Sequence, residues 1–123
     1  MKNTNSIEYL TMRGVTNKEF VNFWQESLTH KYSFIECKLN NFEFLVNCFF
    51  DNSDTIGYGI VPTNRILGTD KTNFIAIGSI EGDDIICLDI NTGKINIWMI
   101  ETGDGEFIEV SDTFVNFFKS VTK

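Results

Sequence analysis

A glycine turn between two alternating runs of residues constrains the fold of this 123-residue chain more than any other feature. The turn occupies residues 91–94, where Gly93 adopts a positive φ at little cost. Because side chains alternate along a strand, a hairpin bent at this turn places its residues on two faces. The expected pairs are Ile90 with Ile95, Leu88 with Ile97 and Ile86 with Met99 on an apolar face, and Asp89 with Asn96, Cys87 with Trp98 and Ile85 with Ile100 on a mixed face. Another part of the chain must cover the apolar face.

Residues 15–30 show the strongest helical pattern before that hairpin. Thr16 and Glu19 have the spacing of a capping box, and Val15 is placed to pack on Phe20 as a hydrophobic staple. The apolar stripe consists of Phe20, Phe23, Trp24 and Leu28. We therefore predict an amphipathic helix that packs on the sheet.

A second helix is expected at the end of the chain. Ser111 is predicted to cap it, and Asp112 lies near the positive end of the helix dipole. Its apolar stripe consists of Phe114, Phe117, Phe118 and Val121. We expect this stripe to cover the apolar face of the hairpin.

Shorter runs predict the remaining strands, which are residues 32–38, 74–77 and 107–110. Residues 42–50 fit both a strand and a helix, and their shortness and aromatic content favour a strand. Residues 6–12 fit either a short strand or a helical turn. Two glycines and Pro62 within residues 56–67 predict an extended segment with room for one helical turn.

Together these elements predict a single α+β domain spanning residues 1–123. It consists of an antiparallel sheet of about five or six strands with two or more helices packed on it. A chain of this size buries roughly two thirds of its unfolded surface, and 12 phenylalanines can fill the core without a metal ion or a disulfide. Cys37, Cys48 and Cys87 show no ligand spacing, so we expect reduced, buried thiols.

The net charge of −7 bears on the class of partner. A nucleic-acid-binding protein needs a basic face to displace counterions from phosphates, and an anionic membrane surface also attracts basic proteins. The charge therefore argues against both and allows a basic protein partner. No run approaches the length of a membrane span and no export signal is recognised, so we expect a cytoplasmic protein.

No pattern in the chain indicates catalysis. His30, the one histidine, is expected near a helix end, where an imidazolium is favourable, and Cys87 is expected to pack within the sheet. The glycines at 57 and 59 lack the third glycine of a dinucleotide loop, and residues 51–54 lack the ligand pattern of a calcium loop. We predict that the protein is not an enzyme and uses no cofactor or metal ion.

Charge is distributed unevenly along the chain. Between Ser79 and Asp112 there are nine carboxylates and one base, Lys94, whereas the rest of the chain carries eight acidic and nine basic residues. The nine are Glu81, Asp83, Asp84, Asp89, Glu101, Asp104, Glu106, Glu109 and Asp112. Such a segment is either a solvated surface that aids solubility or a docking face for a cationic partner.

The last fifty residues also carry an ordered series of motifs. They are Gly82-Asp83-Asp84, Cys87-Leu88-Asp89, Gly93-Lys94, Ile97-Trp98 and Ser111-Asp112-Thr113-Phe114 with Phe117-Phe118. Their order and spacing resemble the SUKH superfamily, which includes bacterial immunity proteins and fungal regulators of cell-wall assembly. The resemblance implies an immunity protein that binds and neutralises a toxin domain without catalysis, nuclease-type toxins being frequent partners. The alternative that it implies is a regulatory scaffold or adaptor.

Charge, rather than a family motif, suggests which residues contact the partner. The expected contacts are Glu81, Asp83, Asp84, Glu101, Asp104 and Glu106, with Trp98 as an aromatic anchor if its face is open. The expected partner is a cationic toxin protein. The protein itself is expected to be a monomer or a weak homo-oligomer, since sheet edges can pair between chains.

Overall fold

The computed structural model describes residues 6–25, 33–39 and 42–121. These residues form an α+β fold with four α-helices and one six-stranded antiparallel sheet, as the sequence predicts. The helices are α1 (Ser6–Met12), α2 (Lys18–Gln25), α3 (Ile60–Leu67) and α4 (Phe114–Val121). The strands are β1 (Ile35–Leu39), β2 (Phe42–Phe49), β3 (Phe74–Ile80), β4 (Ile85–Asp89), β5 (Ile95–Trp98) and β6 (Phe107–Ser111).

The sheet is a meander in which each strand pairs with the next, in the order β1-β2-β3-β4-β5-β6. It curls, so that α4 packs against both edge strands, β1 and β6, and also against α2. Phenylalanine rings fill this space: Phe20 meets Phe114 edge to face at 5.4 Å, and Phe23 meets Phe49 at 5.1 Å. The predicted stripe of α4 is therefore buried, but its closest strands are the two edges rather than the hairpin.

The hairpin has the predicted faces but not the predicted register. Ile86 pairs with Ile97 and Leu88 with Ile95, a shift of two residues from the expected pairing. Cys87 consequently lies opposite Asn96. The cause is Asp89, whose carboxylate accepts hydrogen bonds from the amides of residues 91 and 92 at 2.9 and 3.2 Å and so begins the turn early. A two-residue shift leaves every side chain on its predicted face.

Both predicted helix caps are wrong by one or two residues. Asn17, not Thr16, caps α2, because the Phe20 amide donates to the Asn17 side chain at 2.9 Å. Thr113, not Ser111, caps α4, and its hydroxyl accepts a 3.0 Å hydrogen bond from the Asn116 amide. The predicted capping box therefore does not form, and Ser111 is the last residue of β6.

Among the shorter segments, the strand predicted at 42–50 is confirmed as β2, and residues 6–12 take the helical alternative. Residues 60–67 form the full helix α3, where we expected an extended segment with room for one helical turn. Pro62 is tolerated because the amides of a first helical turn have no acceptor within the helix. Predictions for His30, Leu28 and Tyr32 fall outside the described residues.

A buried side chain explains why α3 is required. Asn64 is fully buried, and its amide group bonds both backbone groups of Ala76, accepting at 2.8 Å and donating at 2.9 Å. Ala76 lies in the part of β3 beyond its pairing with β2. The Asn64 side chain thus takes the place of a neighbouring strand, so that no backbone group of Ala76 is left unpaired on that side.

Arg13 joins α1 to the chain segment that leads into β3. Its guanidinium donates to the carbonyl oxygens of Thr69 at 2.8 Å and Phe74 at 2.6 Å, and to the Tyr9 hydroxyl at 2.9 Å. Asp70 completes the cluster, pairing with Arg13 at 3.2 Å and accepting a hydrogen bond from Tyr9. Burial and the Asp70 hydrogen bond raise the pKa of Tyr9 to about 12, so the phenol stays neutral.

Within the described residues, the helices are all too short or too polar to cross a bilayer.

Candidate functional site

Two loops meet at one end of the sheet. One comprises residues 81–84 between β3 and β4, and the other comprises residues 99–106 between β5 and β6. The backbone at Gly82 lies so close to the second loop that a Cβ atom there would be 2.8 Å from the Thr102 side-chain methyl. Gly82 also has a φ of +82°, which other residues rarely adopt. A glycine is therefore needed for the loops to touch.

Asp84 holds these loops together. It is 1% exposed, and its carboxylate accepts hydrogen bonds from the backbone amides of Glu101 and Thr102 at 2.8 and 3.0 Å and from the Thr102 hydroxyl. Burial alone would raise the pKa of Asp84, but these hydrogen bonds to the charged form lower it below its ordinary value. Asp84 was expected among the partner contacts; its burial instead makes it a structural carboxylate.

The other five predicted carboxylates are brought together and are all exposed. We refer to them as the acidic end; they are Glu81, Asp83, Glu101, Asp104 and Glu106. None of them forms an ion pair with a Lys or Arg of the described residues. Lys94, the only base in this part of the chain, lies at the opposite end of β5 and pairs with Glu109 at 3.3 Å. The negative charge of the acidic end is therefore uncompensated within the described protein.

Trp98 lies beside the acidic end in an aromatic stack. Its indole nitrogen donates to the Gly105 carbonyl oxygen at 3.1 Å, and its ring stacks on Phe107 with centroids 5.2 Å apart. Phe107 in turn stacks on Phe74 at 4.3 Å. We call Phe74, Trp98 and Phe107 the aromatic stack. Trp98 is half-buried and its ring stacks on Phe107, so it is not a free-standing anchor.

Phe107 is the residue of this surface that sequence reasoning missed. It is 39% exposed, although a ring of that size is more often buried. One signal was present in the sequence, since Phe107 directly follows the acidic loop. The structure adds that Phe107 pairs with Trp98 across β5 and β6. The alternation of β6 alone could not show which of its apolar residues faces the solvent.

Neither Cys48 nor Cys87 is activated as a nucleophile. Cys87 is fully buried, and burial raises its pKa. Cys48 is half-buried, and burial likewise raises its pKa, while its sulfur lies 3.6 Å from the Ser79 hydroxyl oxygen. A thiol whose pKa is raised is mostly protonated at neutral pH and is a poor nucleophile.

The described residues contain no group of three or more His, Cys, Asp or Glu side chains that could hold a metal ion. No protein-family model, curated protein or solved structure matches this chain.

Proposed function

We propose that this protein is a cytoplasmic immunity protein that binds a toxin domain and neutralises it without catalysis, using the acidic end as its contact surface. The observation that carries the proposal is that five exposed carboxylates converge where two loops meet, with no basic partner among the described residues. Such a surface repels anions and attracts cationic proteins.

A nuclease domain is the type of toxin that fits this surface best. Nucleases bind polyanions and so need positive charge around their active sites. A compact acidic domain can cover such a site or lie beside it and exclude the nucleic acid. Complementary charge accelerates the encounter and rejects wrong partners more than it adds affinity, which suits an inhibitor that must act soon after its toxin appears.

The aromatic stack supplies the apolar contact that charge alone lacks. Binding energy in protein interfaces is concentrated in a few residues, often aromatic, that become fully desolvated. Phe107 is partly exposed next to the acidic end, and its ring is held in place by stacking on the rings of both Phe74 and Trp98. We expect Phe107 to be the main apolar contact, with the carboxylates around it.

The resemblance of the last fifty residues to the SUKH superfamily is the second support for this proposal. In that superfamily, immunity and regulatory roles both depend on binding. The acidic end is formed by residues within the resembling segment, so the same part of the chain carries both arguments.

Co-expression with a toxin encoded by a neighbouring gene tests the proposal. We expect the wild-type protein to restore growth, and we expect Glu101→Lys with Asp104→Lys to restore it less well. Glu8→Lys with Glu19→Lys is the matched control, because it changes the net charge equally at exposed positions on α1 and α2. Failure of the wild type to restore growth or to bind the toxin would contradict the proposal, and binding of a basic protein that is not a toxin would favour the adaptor alternative.

A further inference from the structure

A pocket lies next to the acidic end. It has a volume of about 520 Å³ and lies between the residues before β1, the loop 51–59 and the strands β2 and β3. Its lining includes Phe34, Cys48, Asp51, Tyr58, Ser79 and Asp83. Ligand pockets in proteins span about 300–1,000 Å³, so this pocket has room for a large side chain.

Three aromatic residues line the pocket, and two of them, Phe34 and Tyr58, are exposed to solvent while Phe49 is buried. Phe34 is 75% exposed and Tyr58 is 60% exposed. Neither ring stacks on another aromatic ring of the described chain, and no described arginine lies over either of them. Most of the described phenylalanines are packed in the core, so an aromatic ring left this open is unusual for the protein.

Two acidic side chains line the pocket. They belong to Asp51 and Asp83, and among the described residues no Lys or Arg lines it. One oxygen of the Asp51 carboxylate accepts a 2.8 Å hydrogen bond from the Ser53 amide. Asp83 is exposed, and its carboxylate makes no hydrogen bond or ion pair with another described residue. Asp83 also belongs to the acidic end, so the pocket and that surface are continuous.

Two residues that line the pocket, Phe34 and Asp83, have an unusual backbone conformation. Phe34 has a φ of +57° and Asp83 a φ of +68°, and they are the described non-glycine residues with positive φ. Aspartate tolerates this conformation, but phenylalanine rarely adopts it. Conformations of this kind persist where the surrounding structure imposes them, and they are frequent at binding sites.

We propose that this pocket takes a basic side chain of the partner protein, arginine in particular, with its guanidinium against the rings of Phe34 and Tyr58 and paired with Asp83. A guanidinium stacks on aromatic faces and bonds a carboxylate through two parallel donors, and this pocket offers both. The inference rests on the proposed function, since the partner bound at the acidic end supplies the arginine.

A titration of the isolated protein tests the pocket without the toxin. The probe is N-acetyl-arginine amide, followed through the backbone amide signals of the ¹⁵N-labelled protein by NMR. Its neutral isostere, N-acetyl-citrulline amide, is the control ligand. We expect saturable shifts for the arginine probe at Phe34, Cys48, Tyr58, Ser79 and Asp83, and much smaller shifts for the citrulline probe.

Two substitutions make the test specific. Asp83→Asn keeps the size and the left-handed backbone preference of the residue but removes its charge, and Phe34→Ala removes the ring. Each is expected to weaken binding of the arginine probe by about fivefold or more. Glu8→Gln, which removes a negative charge from an exposed position of α1 outside both the pocket lining and the acidic end, should leave the affinity within about twofold.

Equal shifts with both probes, shifts that spread evenly over the acidic end, or no shifts at all would each overturn the inference. Because no toxin is present, none of these results depends on the proposed function. Conversely, if this protein binds the arginine probe in the pocket but does not bind the toxin encoded by the neighbouring gene, only the proposed function is contradicted.

Discussion

The buried carboxylate of Asp84 accepts a 2.8 Å hydrogen bond from the backbone amide of Glu101, and this contact joins the two loops that carry the acidic end. The buried carboxylate of Asp84 thus lies in the same pair of loops as the five exposed carboxylates of the acidic end. Backbone amides and the Thr102 hydroxyl stabilise its charge locally, so it needs no lysine or arginine. The exposed carboxylates above it remain available to a partner.

Asp84→Ala should destabilise the protein and loosen the acidic end. The substitution removes three hydrogen bonds to a charged acceptor and leaves two amides to find other partners. We expect the free energy of unfolding, measured by urea denaturation, to fall by roughly 1.5–3 kcal/mol. Asp104→Ala is the control, since an exposed residue of the other loop should change stability by no more than about 0.5 kcal/mol. Equal effects of the two substitutions would show that Asp84 does not join the loops.

The same contact predicts a pH dependence of stability. The pKa of Asp84 lies below its ordinary value of 3.8 in the folded protein, so the unfolded chain takes up this proton first as the pH falls. The stability contributed by ionised Asp84 is therefore complete above about pH 5 and is lost as the pH falls through 3.8 towards the lower folded pKa. We expect the difference in unfolding free energy between wild type and Asp84→Asn to shrink over this range. A difference that stays constant down to about pH 2 would contradict the assignment.

Arg13→Lys tests how much the stability of the protein depends on the hydrogen bonds that the Arg13 guanidinium makes between α1 and the segment before β3. A single ammonium cannot reach the carbonyl oxygens of Thr69 and Phe74 while it also bonds Tyr9 and Asp70. We expect a loss of about 1.5–3 kcal/mol of unfolding free energy. Arg65→Lys provides the matched control, because Arg65 is exposed and only lies over the Tyr9 ring, 5.5 Å from its centroid. A loss at Arg13 as small as that at Arg65 would mean that the positive charge, which both substitutions keep, is sufficient at Arg13 without the geometry of the guanidinium.

At position 34 the backbone conformation predicts that glycine is more stable than alanine, the reverse of the order expected in a strand. Because a positive φ strains any residue with a Cβ atom, Phe34→Gly should be more stable than Phe34→Ala by about 1 kcal/mol. At Phe107, in strand β6, the order should reverse, with glycine less stable than alanine by about 0.5–1 kcal/mol. Thermal unfolding of the four variants provides the comparison. If alanine is the better residue at both positions, the left-handed conformation of Phe34 is wrong.

Much of the fold could be predicted because it depends on periodicity. The apolar and mixed faces of the hairpin follow from alternation alone, and they survive the two-residue change in register. The register itself could not be predicted, since it depends on the Asp89 side chain bonding two amides of the turn. Alternation is insensitive to such a shift, whereas a turn responds to each side chain within it.

Local signals also competed with one another. Thr16 and Asn17 are both good helix caps, as are Ser111 and Thr113, and only tertiary packing decides which of each pair is used. The full length of α3 was not predicted, because Pro62 and the two glycines before the helix are typical of a break, whereas burial of Asn64 against Ala76 stabilises it.

The candidate site shows a similar limit. The excess of carboxylates between residues 79 and 112 predicted an acidic surface, and five of the six named residues are exposed together. Asp84 could not be distinguished from Asp83 beside it, because burial of a carboxylate depends on donors contributed by a distant loop. Phe34 and Tyr58 gave no signal, since their exposure depends on how the segments around the pocket pack.

The central claim is tested most directly by the affinity of this protein for the toxin domain encoded by a neighbouring gene, measured by calorimetry at increasing salt concentration. The account predicts that the dissociation constant rises steadily with salt and that Glu101→Lys with Asp104→Lys weakens the complex by about tenfold or more at low salt. Glu8→Lys with Glu19→Lys should change the affinity by no more than about threefold. A complex that is insensitive to salt, or that both pairs of substitutions weaken equally, would contradict the claim that the acidic end is the contact surface.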